Sequence, residues 1–217
     1  DIAYIATKDE DYVNATLIVN YLLENASTPE GKIAGHQHLM KIKRKTSTKK
    51  DYPEIEKEYQ RLFNEFGKGK NTYQLQLDFN YFEAFKNQKK EIAIANLKKF
   101  SKEPLSRYQK ARVKMLLADI LVFDERFNEA LIYYSQIQNE VKGDLLAQEA
   151  RFKVAKTSYF KGDFNWAQVQ LDVLKKSATQ LIANDAMHLS LLIKDNSLED
   201  YTQTALKQYA RADLLAF

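Results

Sequence analysis

Arg126-Phe127-Asn128-Glu129-Ala130 and Asp163-Phe164-Asn165-Trp166-Ala167 lie 37 positions apart and share an aromatic, an asparagine and a closing alanine. The same offset carries Tyr134 onto Leu171, Ile137 onto Leu174 and, upstream, Ala118 onto Ala155. Stepping back by 37 from Ala130, Tyr134 and Ile137 reaches Ala93, Leu97 and Phe100, and stepping forward from Phe164 reaches Tyr201. Two looser copies precede these: Asp11-Tyr12-Val13-Asn14-Ala15 with Val19 and Leu22, and Asp51-Tyr52-Pro53-Glu54-Ile55 with Tyr59 and Leu62. A fixed period of this length marks a chain built from stacked supersecondary units, none of which buries its apolar face alone.

Inside each unit the apolar period is helical. Ala130, Tyr134 and Ile137 are spaced four and three apart and share one face; Leu117, Ala118 and Leu121 do the same in the preceding segment. Each unit therefore reads as two helices, and the second helices are predicted to start near Tyr12, Tyr52, Asn87 to Lys90, Phe127, Phe164 and Tyr201. Ala118, Ala130, Ala155 and Ala167 fall where helix axes must approach closely, since a methyl group permits the near end of the usual range of about 8–10 Å. Thr28-Pro29-Glu30 and Asp51-Tyr52-Pro53-Glu54 have the form of helix starts, Gly162 of a helix-to-helix turn, and Pro104 follows a helix ending near Lys102.

The composition is compatible with such a chain and excludes several others. Of 217 residues, 45% are hydrophobic and 29% charged, with six Gly, three Pro and no Cys. Collagen-like and low-complexity chains need more Gly and Pro, disulfide scaffolds need Cys, and a membrane span needs about 18 or more consecutive apolar residues, which are not present. Thirty-three basic residues face 29 acidic ones, but Lys41, Lys43, Arg44, Lys45, Lys49 and Lys50 cluster in ten positions without an acid, and the remainder is net acidic. Whole-protein steering towards nucleic acid is therefore not expected. The segment itself reads as a mobile, solvated loop, because mutually repelling cations around Thr46-Ser47-Thr48 offer little apolar surface to bury.

The small-large pattern, with Ala in the first helix and an aromatic-x-x-Ala opening the second, resembles the tetratricopeptide-repeat family, or a closely related helical-hairpin repeat of longer period. The best matches are residues 111–142 and 148–179. The resemblance implies an all-α solenoid of about six antiparallel hairpins over residues 1–217 as a single array. It also implies a non-enzymatic interaction scaffold whose first helices line a concave groove holding a peptide or protein segment. The chain opens on Asp1, and the first helix-length segment, Tyr12 to Leu23, leaves no sequence for a helix before it. The other end closes on Leu214, Leu215 and Phe217 without a polar cap. Both ends are expected to expose apolar faces, to self-associate, and to belong to a fragment of a longer protein.

Chemistry-bearing motifs are scarce. There is no His-Glu-x-x-His, nucleophile elbow or EF-hand loop, so no catalytic residue, metal or cofactor is expected. His36 and His38, two apart on a helix, point their rings away from each other, and His188 reads as a half-buried packing residue. Gly67-Lys68-Gly69-Lys70 follows a helix and reads as its C-cap, not as a phosphate loop. The sequons Asn14-Ala15-Thr16 and Asn25-Ala26-Ser27 read as chance matches.

Counting along the first helices gives the stripes Leu75, Asp78, Phe82 and Phe85; Arg112, Met115, Asp119 and Val122; and Glu149, Phe152, Lys156 and Tyr159. Within the groove that the resemblance implies, Phe82, Arg112, Asp119, Lys156 and Tyr159 are the expected partner-binding residues, although an aromatic at helical spacing also serves as core. The expected partner is a protein or peptide, with nucleic acid not expected. The alternative is a helical-repeat RNA binder, which needs a repeated polar code on the same face, and Leu75, Arg112 and Glu149 share no chemistry there. A Lys-, Asn- and Tyr-rich composition leans towards the bacterial envelope.

Overall fold

The computed structural model describes residues 2–177, 179–197 and 202–216, and among these there is no strand. Among the described residues twelve α-helices follow one another: α1 (Ile2–Lys8), α2 (Tyr12–Glu24), α3 (Pro29–Thr46), α4 (Tyr52–Phe66), α5 (Tyr73–Phe85), α6 (Lys90–Phe100), α7 (Arg107–Phe123), α8 (Phe127–Glu140), α9 (Leu145–Lys161), α10 (Phe164–Ser177), α11 (Gln180–Asp195) and α12 (Thr204–Leu215). They pack in sequence-adjacent pairs, as the repeat requires. Second helices begin at Tyr12, Tyr52, Lys90, Phe127 and Phe164, as the periodicity predicts. The sixth expected start, Tyr201, lies outside the described residues, as does Phe217.

Each second helix buries residues at fixed distances from its first residue. Ile55, Tyr59 and Leu62 in α4, Ala93, Leu97 and Phe100 in α6, Ala130, Tyr134 and Ile137 in α8, and Ala167, Leu171 and Leu174 in α10 are all core residues. Ala118 and Ala155 of the first helices are likewise buried. In α2 the pattern stops after Ala15 and Val19, because Leu22 is about half exposed.

The hairpin turns repeat as well. Glu10, Gln88, Glu125 and Gly162 each sit two positions before a second helix with φ of 62°, 57°, 59° and 83°. Asp11 N–H reaches back to Ala6 O at 2.9 Å, Arg126 N–H to Leu121 O at 2.8 Å and Asp163 N–H to Ser158 O at 2.8 Å. This is the left-handed closure that satisfies the last carbonyls of a helix and reverses the chain. Asp11 and Asp163 then accept from Asn14 N–H and Trp166 N–H and start the next helix.

The chain divides into two compact units, residues 1–96 and 97–217. In the first unit, α2 does have a first helix of its own, the short α1, which buries Ala3 against Ala15 and Val19 of α2 and Ile42 of α3. The basic segment is not a loop: α3 runs through Lys41 to Thr46, and Lys49–Asp51 forms a single 3₁₀ turn. Two things order it. Met40 packs in a core with Ile33, Tyr59 and Phe79 while Ile42 packs in the other core with Ala3, so α3 is apolar on two sides. Two of its cations are also paired: Lys43 with Glu58, and Arg44 with Asp78 at 3.1 Å and with the Asp78 carbonyl at 2.9 Å. The carboxylates lie on α4 and α5, so reading residues 41–50 in isolation overstates the repulsion. Cations at a helix C-terminus are further favoured by its dipole, by about 0.3–1 kcal/mol each.

In the second unit α7 to α11 pack in order, each on its neighbours, and α12 packs back onto α9. Leu206, Ala210 and Leu214 of α12 are buried, Arg211 pairs with Glu125 in the α7–α8 turn, and the Lys207 side chain runs beside Gly162.

Candidate functional site

The first-helix face of the second unit carries a cleft of about 220 Å³, lined by Val122 of α7, Tyr134 of α8, and Phe152, Lys153, Lys156, Thr157 and Phe160 of α9. Asp119 of α7 stands at its edge, where it accepts from the Tyr134 hydroxyl at 2.6 Å and pairs with Lys153 at 2.7 Å. Burial first, then the Asp119 charge and bond, hold the Tyr134 phenol well above its ordinary range, so it stays a proton donor. Lys156 lies over the Phe160 ring, 5.4 Å from its centroid, and Arg112, exposed on α7, lies 5.9 Å from the Tyr108 ring. The result is an apolar floor with cations on its rim and one fixed carboxylate.

Arg112, Asp119 and Lys156 are therefore half-buried or exposed on this unit, whereas two other expected groove residues are not. Phe82 is 0% exposed, packed edge-on against Tyr52 with ring centroids 5.2 Å apart and beside Tyr59 at 6.4 Å. The cause is one extra residue. Four residues, 86–89, join α5 to α6, where three, 124–126, join α7 to α8. Counting back from the turn, Phe82 then matches buried Ile120, and exposed Tyr81 matches Asp119, a rotation of about 100°. Tyr159 is also 0% exposed, packed on Phe160 and Phe164 with Tyr209 and Asp213 of α12 facing it, and burial raises its phenol pKa. The return of α12 onto α9 covers it, and no feature of the 37-residue repeat announces that return.

The first unit has a cleft of its own, about 390 Å³, bounded by Tyr4 of α1, Ala34, Gln37, His38, Lys41 and Arg44 of α3, and Gln74 and Asp78 of α5. His38 Nε2 lies 2.7 Å from the Thr7 hydroxyl, and burial, with the Lys41 charge second, lowers its pKa. Lys41 Nζ sits 5.3 Å from the centre of the Tyr4 ring. Gln74 donates to Asp78 at 3.0 Å. Only Asp78 of these residues stood in the stripes counted from sequence. Those on α3 become visible once residues 41–46 are taken as helix, since Ala34, Gln37, Lys41 and Arg44 then recur at helical spacing.

The remaining motifs resolve simply. His36 faces Phe66, with centroids 5.9 Å apart, while His38 faces α1, so the two rings do diverge. His188 is exposed, not half-buried. Gly67 has φ of 76° and donates its N–H to Phe63 O at 3.0 Å, ending α4 as a C-cap. Among the described residues no group of three His, Cys, Asp or Glu is placed to hold a metal ion, and no helix is long and apolar enough to cross a membrane.

No family model matches the chain, and no curated protein matches it. Among solved structures it is similar to PlcR of Bacillus thuringiensis, in a complex with the peptide PapR7 and DNA. The two share 16% identity over 97% of this chain and 72% of that one, with a TM-score of 0.59. At this identity the likeness is one of fold, an all-helical repeat architecture.

Proposed function

We propose that the chain is a non-enzymatic helical-repeat module of the tetratricopeptide kind, and that the cleft on the first-helix face of its second unit binds a short peptide or protein segment. The cleft carries the proposal: a floor of Val122, Phe152 and Phe160 under a rim that includes Lys156, with the fixed Asp119 carboxylate at its edge and Arg112 exposed about two turns before Asp119 on the same helix. Such a floor takes an apolar side chain, and the rim cations suit an acidic group beside it. The similarity to PlcR, whose complex contains a peptide, supports the reading as an analogy of fold, since one fold hosts many functions. That complex also contains DNA, so the comparison gives no ground for setting nucleic acid aside.

Selection from a display library of short linear peptides tests the proposal. Enriched sequences are expected to place an apolar residue next to an acidic one and to lose binding to the Lys156→Glu variant. Failure to enrich any sequence, or equal capture by that variant, contradicts it. A random single-stranded oligonucleotide assayed alongside measures any nucleic-acid binding, whose log affinity falls with log salt in proportion to the phosphates neutralised.

A further inference from the structure

We propose that the cleft between α1, α3 and α5 in the first unit is a separate carboxylate-binding site in which Lys41 receives the charge, flanked by the Tyr4 ring. Its charge balance carries the inference. The Arg44 guanidinium is held by the Asp78 carboxylate at 3.1 Å and by the Asp78 carbonyl at 2.9 Å, so its charge is already answered. Lys41 is exposed, its ammonium lies 5.3 Å from the Tyr4 ring centre, and no carboxylate pairs with it among the described residues. The cleft therefore has one unanswered positive charge.

The lining selects among anions. Asp78, fixed beside Arg44 and Gln74, repels a second negative charge, which disfavours a dianionic phosphate or a run of phosphates. Phosphate-backbone binding needs several adjacent free cations, and here Lys43 is already paired with Glu58. The amide side chains of Gln37 and Gln74 provide donors and acceptors that match a peptide-like group attached to a monoanion. The flat Tyr4 face, over which Lys41 is already positioned, offers an apolar surface to the carbon skeleton. A volume of about 390 Å³ admits one or two amino-acid residues. The chemistry is a carboxylate on a peptide-like frame, whether a chain terminus or an acidic side chain. The site stands on first-unit residues alone and is independent of the second-unit cleft.

Amide NMR of the full chain tests this with three small probes and one polymer: N-acetyl-leucine, N-acetyl-leucinamide, N-acetyl-glutamate α-amide, and a random single-stranded oligonucleotide. Saturable shifts at Tyr4, His38 and Lys41 are expected with one or both carboxylates and not with the neutral amide. Response to N-acetyl-leucine identifies a terminal carboxylate, and response to the glutamate α-amide an acidic side chain. Lys41→Gln, an exposed substitution, is expected to weaken binding about tenfold, as loss of a charge-assisted hydrogen bond does. The proposal is overturned if the neutral amide shifts the same resonances equally, if Lys41→Gln titrates like the parent, if neither carboxylate shifts them, or if the oligonucleotide alone does so.

Discussion

At the scale of single residues, the hairpin turns show the same backbone need met by different side chains. Gly162 takes up its left-handed conformation freely, whereas Gln88 with φ of 57° and Glu10 with φ of 62° hold it against steric cost. Gln88→Gly should therefore raise stability by about 0.5–1 kcal/mol, the relieved strain exceeding the added chain entropy. Urea unfolding would show this as a higher midpoint with an unchanged slope. Glu83 poses the opposite case. Its side chain is 1% exposed, it accepts from Asn87 at 2.9 Å, and Lys89 reaches it only at 3.9 Å because it bonds Glu56 instead, at 2.6 Å. Burial, with Glu56 adding to it, raises the Glu83 pKa above its ordinary 4.5. The folded state then holds this proton more tightly than the unfolded one. The associated stability is fully present below the ordinary value and is lost as pH rises through the raised pKa. Glu83→Gln should remove that loss, matching or exceeding the parent above the raised pKa and flattening the stability-against-pH curve. A variant that lost stability equally at all pH values would show that the carboxylate is held by its partners and is not penalised by burial.

At the scale of helices, much of the fold was legible because the signal was periodic. Three second-helix starts, at Lys90, Phe127 and Phe164, with their buried alanines follow from one offset of 37, and those at Tyr12 and Tyr52 from looser copies of the same motif. What was not legible depended on single insertions and on distant partners. The extra residue between α5 and α6 turned Phe82 from the groove into the core, and no periodicity registers a one-residue slip in a loop. The order of residues 41–46 came from Glu58 and Asp78 on other helices, which local charge counting does not see. Tyr159 lost its exposure to α12, a helix that leaves the repeat pattern by packing on α9. That packing is itself testable. Leu206 is buried on α12, and Leu206→Ala should cost about 2–4 kcal/mol locally. Hydrogen exchange should then quicken in α12 and the C-terminal turn of α9, while α7 and α8 keep their protection. Uniform loss of protection across the unit would mean that α12 is integral to the whole fold, not a covering helix.

At the scale of the molecule, the proposed interaction surfaces are two clefts, one in each unit. Ile2, Ile5, Val13, Leu17 and Tyr21 are all more than half exposed on α1 and α2, as expected, whereas on α12 Leu214 is buried with Leu206 and Ala210, Leu215 is exposed, and Phe217 lies outside the described residues. The clefts carry the function proposed for the chain, and of the expected site residues Arg112, Asp119 and Lys156 remain on the accessible face of α7 and α9. The most direct test is the affinity of a library-selected peptide for the parent and for the Arg112→Glu, Lys156→Glu double variant, measured with the melting temperature of each. Both side chains are at least partly exposed, so the double variant should melt within a few degrees of the parent. It should bind at least about tenfold more weakly if rim cations contribute even a single charge-assisted contact. Equal affinity at equal melting temperature would place the peptide elsewhere and contradict the assignment of this face as the binding surface.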